Sequence, residues 1–125
     1  MNPNSRTIKV IGSSLARLEA AAAAGPPAGD AADAVALDAL GLLDEMRRLE
    51  RKWVEQIAAG SPRRKPSDYA EMEGWCRRWL RPTAALADAG LSSQVATMLA
   101  SQRTNVARDL AADRFRAAAN AMRAT

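Results

Sequence analysis

Apolar residues recur at spacings of three and four along most of the chain, and this spacing limits the possible folds more than any other feature. The strongest series is Leu42, Met46, Leu49, Trp53 and Ile57. A second series near the start of the chain is Ile8, Ile11, Leu15, Leu18 and Ala22. Residues at these spacings share one face of an α-helix. The sequence therefore predicts an all-α protein.

Glycine and proline divide the chain into four helical segments. The clearest break is the Gly-Pro-Pro-Ala-Gly stretch at 25–29, and Gly60-Ser61-Pro62 and Gly90 provide two more. A length of 125 residues is enough for one core. We therefore expect a single domain over 1–125, a bundle of about four main helices in roughly up-down order. Residues 1–5 are expected to be disordered, and 25–29 to link the first two helices.

Three positions leave alternatives open. Residues 6–11 are β-branched enough for a short strand, although no second strand candidate exists to pair with them, which favours a helix. Gly41 could mark a close helix contact or a break into two helices. Pro82 lies inside the third helix and is expected to kink it, because proline removes a backbone donor.

The last helix is predicted to run from about Leu91 to Arg123, and its apolar face changes along the way. Val95, Leu99, Val106 and Leu110 share one face, whereas Phe115 and Met122, with Ala111 and Ala118 between, fall on the opposite one. One interpretation is weak patterning in a fraying, alanine-rich tail. The other assigns Phe115, Met122, Ala111 and Ala118 to an interface with a partner or a second copy.

Catalytic and metal chemistry is sharply limited by composition. The chain has no histidine and a single cysteine, Cys76, which we expect to be a buried thiol. A Ser-His-Asp triad, a Cys-His pair and the usual zinc sites are therefore impossible. We expect no cofactor, no metal and no enzymatic activity.

The charge pattern is basic overall but segregated. The net charge is +4, and 15 of the 18 basic residues are arginine. Arginine suits phosphate contacts, yet an alanine- and arginine-rich chain is also typical of a GC-rich genome, so its significance stays open. Residues 29–45 contain five acids and no base, whereas 47–81 contain ten bases and five acids.

The candidate nucleic-acid contacts lie in the basic part of the chain. Arg63, Arg64 and Lys65 form a loop without an acid, and Arg77, Arg78 and Arg81 surround Trp75 and Trp79. Arginines beside aromatic rings can bind phosphates and stack on bases. The alternatives are a solvated face with two core tryptophans, or a helix-turn-helix around Ala87–Gly90.

The favoured function is thus a non-catalytic, arginine-rich accessory subunit that binds nucleic-acid phosphates within a larger assembly. The alternative is a protein-interaction module, such as a scaffold, chaperone or homo-oligomer, that uses the acidic stretch 30–45 and the Phe115/Met122 face. No apolar run approaches the roughly 18 residues of a membrane span, and the first residues do not resemble a signal peptide. We therefore expect a cytoplasmic protein without membrane contact.

Overall fold

The computed structural model describes residues 3–25, 29–60 and 66–123. This part of the chain forms five helices and contains no strand. They are α1 (Pro3–Ala23), α2 (Asp30–Ala58), α3 (Pro66–Ala87), α4 (Ser93–Ala111) and α5 (Arg114–Arg123). The prediction of an all-helical bundle is confirmed, and residues 6–11 are helical. Because α1 begins at Pro3, the helix includes three of the five residues expected to be disordered.

The prediction of one long last helix is wrong, because the chain breaks between α4 and α5. Asp113 has a positive φ of 52°, and its amide donates a hydrogen bond to the carbonyl of Leu110 at 3.1 Å. The amide of Ala112 bonds to the carbonyl of Arg108 at 3.0 Å. A left-handed residue at this position is a common way to end a helix. The chain changes direction here, and α5 packs on α3.

Helix α3 is the centre of the bundle, since it contacts each of the other four helices. The core is formed by the predicted apolar stripes. Its members include Ile11, Leu15, Leu18, Leu42, Met46, Leu49, Trp53, Tyr69, Met72, Cys76, Trp79, Val95, Leu99, Val106 and Leu110. Ile57 is the exception in the α2 stripe, because it lies in the last turn and is 38% exposed.

All three tryptophans are buried. The indole Nε1 of Trp79 donates to the carbonyl of Ala39 at 2.8 Å, and Trp53 packs edge-on against Tyr69 with ring centroids 5.4 Å apart. The hydrogen bond of Trp79 satisfies the polar edge of a buried indole, whereas the Trp53–Tyr69 contact is a packing of two rings. Trp75 and Trp79 are therefore core residues, and neither is available to stack on a base.

The two helix breakers do not end their helices. α2 continues through Gly41, so the predicted alternative of two shorter helices is wrong, and α3 continues past Pro82 to Ala87. Thr83, which is fully buried, donates its hydroxyl to the carbonyl of Trp79 at 2.8 Å and accepts from Nε of Arg103 at 3.1 Å. The first of these bonds runs back one turn along α3, and the second joins α3 to α4.

None of the helices in the three described ranges combines the length and apolarity that a membrane span requires.

Candidate interaction surface

Two of the six predicted phosphate-binding residues have acidic partners in the same chain. Residues 63–65 lie outside the described part. Nη2 of Arg77 lies 3.2 Å from Oε1 of Glu73. Arg78 makes two hydrogen bonds to Glu19 of α1, from Nε at 3.2 Å and from Nη2 at 2.5 Å. Arg81 is exposed and has no ion-pair partner among the described residues.

The Glu19–Arg78 pair changes the electrostatics of this edge of the bundle. The hydrogen bond from Arg78 lowers the pKa of the Glu19 carboxyl, and the same bond raises the pKa of Arg78. Both groups stay charged at neutral pH. The basic cluster on α3 is therefore partly neutralised. Only the Glu73–Arg77 pair could be predicted from the sequence, because Glu73 lies one helical turn before Arg77.

The predicted interface on the last helix lies largely inside the molecule. Phe115 is 2% exposed within the core, while Ala118 and Met122 are partly buried against it. Only Ala111 of this predicted set is fully exposed. The apparent change of apolar face results from the break at Asp113, because α5 turns back and covers α3 with the face that the sequence pattern assigns to a partner.

A network of four charged side chains joins α2, α4 and α5. Arg114 contacts Glu50 through Nη1 at 2.7 Å and Asp109 through Nη2 at 3.2 Å. Asp109 also accepts from Nη1 of Arg47 at 2.7 Å. Two arginines and two carboxylates leave the network neutral. Each acid is held by a cation, so this arrangement connects helices and does not offer a free general base.

Cys76 lies near this network, but its thiol is unreactive. Burial raises the pKa of its thiol to about 12, so it is neutral at physiological pH. Burial also raises the pKa of Tyr69, and the nearby Glu50 carboxylate acts in the same direction. No group of three or more His, Cys, Asp or Glu residues with metal-binding geometry occurs within the described ranges.

A groove of about 690 Å³ lies between α1 and α2. Its floor is apolar and includes Ile11, Leu18, Ala39 and Leu42. Arg6 and Arg17 line the α1 wall, and Asp38 and Glu45 line the α2 wall. Val10, at the rim, is 53% exposed. We call this feature the α1/α2 groove.

The charges on the two walls do not neutralise each other. Within the described part of the chain, no ion pair crosses the groove: Arg17 bonds to Ser14 on its own helix, and Glu45 pairs with Arg48 on its own helix. The short connection between α1 and α2 makes them antiparallel neighbours. Arg17 and Asp38 therefore lie towards the connected end of the groove, and Arg6 and Glu45 towards the other.

A second, smaller groove of about 530 Å³ follows the opposite side of α2, against α4. Gly41 lines both grooves and Met98 lines the second one. On the ridge of α2, Leu37 is 48% exposed beside Asp38. The first half of α2 is thus an acidic helix with exposed apolar groups and a concave surface on either side.

No protein-family model, curated protein or solved structure matches this chain.

Proposed function

We propose that this protein is an interaction module that binds an amphipathic helix of a protein partner in the α1/α2 groove. The observation that carries the proposal is the combination of an apolar floor with two walls of opposite charge that are not paired across the groove. A helix-in-groove complex buries the apolar face of a helix between two others. The exposed Val10 at the rim adds apolar surface for such a contact.

The wall charges define the chemistry of the bound helix. Its apolar residues pack on the floor, its acids face Arg6 and Arg17, and its bases face Asp38 and Glu45. Charges that flank an apolar seam in this way select partner and orientation in helical assemblies. The lining residues of α1 run from Arg6 to Ala21, so the groove offers about 23 Å of length, which is enough for about two heptads.

Binding of nucleic-acid phosphates by α3 is the second candidate, and the observation in its favour is the exposed Arg81, which has no ion pair within the described ranges, beside Arg77 and Arg78. Surface ion pairs such as Arg77–Glu73 are weak, so phosphates can compete for these arginines. Phosphate contacts are strongest at low salt, and about 50 mM is suitable. Binding of DNA or RNA that the Arg81→Glu change abolishes would favour this candidate over the groove.

A designed peptide tests the proposed helix docking. The peptide has two heptads with a leucine and isoleucine seam, glutamate along one flank and lysine along the other. We expect its addition to shift backbone amide signals of α1 and α2 in nuclear magnetic resonance spectra. A peptide of the same composition with a scrambled seam serves as its control.

Two protein variants make the test specific to the groove. Val10→Asp puts a charge at the groove rim, whereas Val54→Asp does so at a site outside it; the two valines are 53% and 55% exposed. We expect at least about tenfold weaker peptide binding for Val10→Asp, because a charge against an apolar seam is poorly solvated, and no change for Val54→Asp. Equal effects of both variants, or shifts located outside α1 and α2, would contradict the proposal.

A further inference from the structure

We propose that a second copy of the chain covers the α1/α2 groove, so that the protein forms a two-fold symmetric dimer in which the α1/α2 faces of the two copies meet. The inference goes beyond the proposed function, because the helices of the second copy lie over α1 and α2 and compete with a docked helix for the same face. The observation behind it is that the face of α1 and the face of α2 carry opposite charge and lie side by side.

A two-fold interface requires a surface that is complementary to itself. The described side chains of α1 carry three cations, Arg6, Lys9 and Arg17, and its single acid, Glu19, is occupied by Arg78. On α2, Asp38 and Glu45 line the groove, and no base of α2 does. Asp44 lines the second groove, and Asp33 accepts a hydrogen bond from the amide of Ser92. A basic helix and an acidic helix on one face meet this requirement.

The charges also determine the direction of the symmetry axis. An axis parallel to the groove places α1 of one copy over α2 of the other, so that Arg17 faces Asp38 and Arg6 faces Glu45 on both sides. An axis perpendicular to the groove, within the interface plane, places α1 over α1 and the acids over each other. Like charges in an interface disfavour the second arrangement. We therefore infer the axis parallel to the groove.

The exposed surface of α1 and α2 allows a close approach of two copies. Ser13, Ala16 and Ala20 are exposed on α1, and Gly41 is exposed on α2. Two helices side by side are together about 20 Å wide and about 30 Å long, so they offer an interface area of roughly 600 Å² per copy. Specific interfaces begin at about 600 Å² per partner, so we expect a weak dimer that depends on its charges.

A charge-exchange experiment tests both the dimer and its axis. Arg17→Glu alone sets carboxylate against carboxylate at both symmetry-related contacts, and Asp38→Arg alone sets guanidinium against guanidinium there. We expect each variant to raise the dimer dissociation constant at least about tenfold in sedimentation equilibrium. A mixture of the two variants can form a heterodimer in which both contacts again join opposite charges, and we expect it to have wild-type strength. A loss of folding cannot produce this rescue.

Two matched substitutions serve as controls. Arg51→Glu and Glu71→Arg reverse charges at exposed positions outside the groove and should leave the dissociation constant unchanged. The dimer inference is overturned if the wild type stays monomeric at about 1 mM, where even weak association is measurable, or if the mixed variants do not associate. A monomer that still binds the designed peptide keeps the proposed function, whereas a monomer that does not bind it overturns both.

Discussion

The thiol of Cys76 is enclosed by the core and lies within electrostatic range of Arg47, Glu50, Asp109 and Arg114. Burial has the largest effect on its pKa, because a thiolate loses its hydration when it is surrounded by apolar side chains. The two arginines of the network lower this pKa, and the two carboxylates raise it. The reactivity of Cys76 therefore reports whether the core is closed.

We expect Cys76 to resist a thiol reagent at pH 8 in the folded protein, since its pKa is about 12 and only the thiolate reacts. Labelling should proceed through unfolding and should accelerate with urea concentration. The same chain in concentrated urea gives the reference rate for an accessible thiol. Labelling of the native protein at a rate close to that reference would contradict the burial of this side chain.

For single residues, the sequence predicts burial more accurately than it predicts which side chains form ion pairs. The face shared by Leu42, Met46, Leu49 and Trp53 follows from helical spacing and is confirmed in the core. The contact between Glu50 and Arg114 joins residues 64 positions apart. Spacing rules describe neighbours within a helical turn, so they contain no information on such pairs.

Among the elements, the turn between α4 and α5 has the largest effect on the surface. Asp113 adopts a left-handed conformation that β-branched residues strongly disfavour. If this turn straightened, α5 would leave α3 and Phe115 would be exposed. The packing of α5 on α3 therefore depends on the backbone conformation of Asp113.

We expect Asp113→Val to lower the free energy of unfolding by about 1–2 kcal/mol, because aspartate tolerates the left-handed region whereas a β-branched side chain is crowded there by the backbone. Asp113→Gly should be neutral or slightly stabilising. Ala112→Val is the matched control, since Ala112 is also exposed but has an ordinary φ of −81°. Urea unfolding measures all three variants. A similar loss for Ala112→Val and Asp113→Val would show that the left-handed conformation is not the cause.

The sequence contains one indication of the break at Asp113, and that indication has two explanations. The apolar face changes between Leu110 and Phe115, which indicates either a partner or a change in chain direction. Helix ends are usually identified by glycine, and here the left-handed residue is an aspartate. The existence of the other helices was predictable, because their apolar stripes are long and are separated by proline and glycine.

For the whole molecule, the Glu19–Arg78 pair connects the first helix to the central one. Both side chains are about 40% exposed, so their contribution to stability is moderate, up to about 1 kcal/mol. The bond from Arg78 lowers the pKa of Glu19 below its ordinary value of 4.5. A lowered pKa means that the contribution is complete above the unfolded value and is lost as pH falls through the folded one.

We expect Glu19→Gln to be less stable than the wild type at pH 7, by about 0.2–1 kcal/mol. The difference should shrink below pH 4.5 and vanish once Glu19 is protonated in the folded wild type. Glu71→Gln, at an exposed position without an ion pair in the described ranges, is the control for losing one negative charge. A difference between Glu19→Gln and the wild type that stays constant down to pH 2 would contradict the role of the pair.

The candidate surface was only partly predictable at this scale. The acidic stretch 30–45 is visible in the sequence and indicates protein interaction, and the cations of α1 are visible too. Their combination into one groove depends on α1 and α2 being neighbours with space between them, which depends on how both pack on α3. Packing between distant segments is not encoded in the spacing of a single helix.

The position of the tryptophans has a practical consequence for spectroscopy. All three indoles are in the core, two of them on the central helix, and none lines the α1/α2 groove. Their emission reports on solvent entering the core, so unfolding shifts it to longer wavelength while a ligand in the groove leaves it nearly constant. Intrinsic fluorescence is therefore a clean optical probe of stability here, and detection of groove occupancy needs a dye or an indole introduced at the rim.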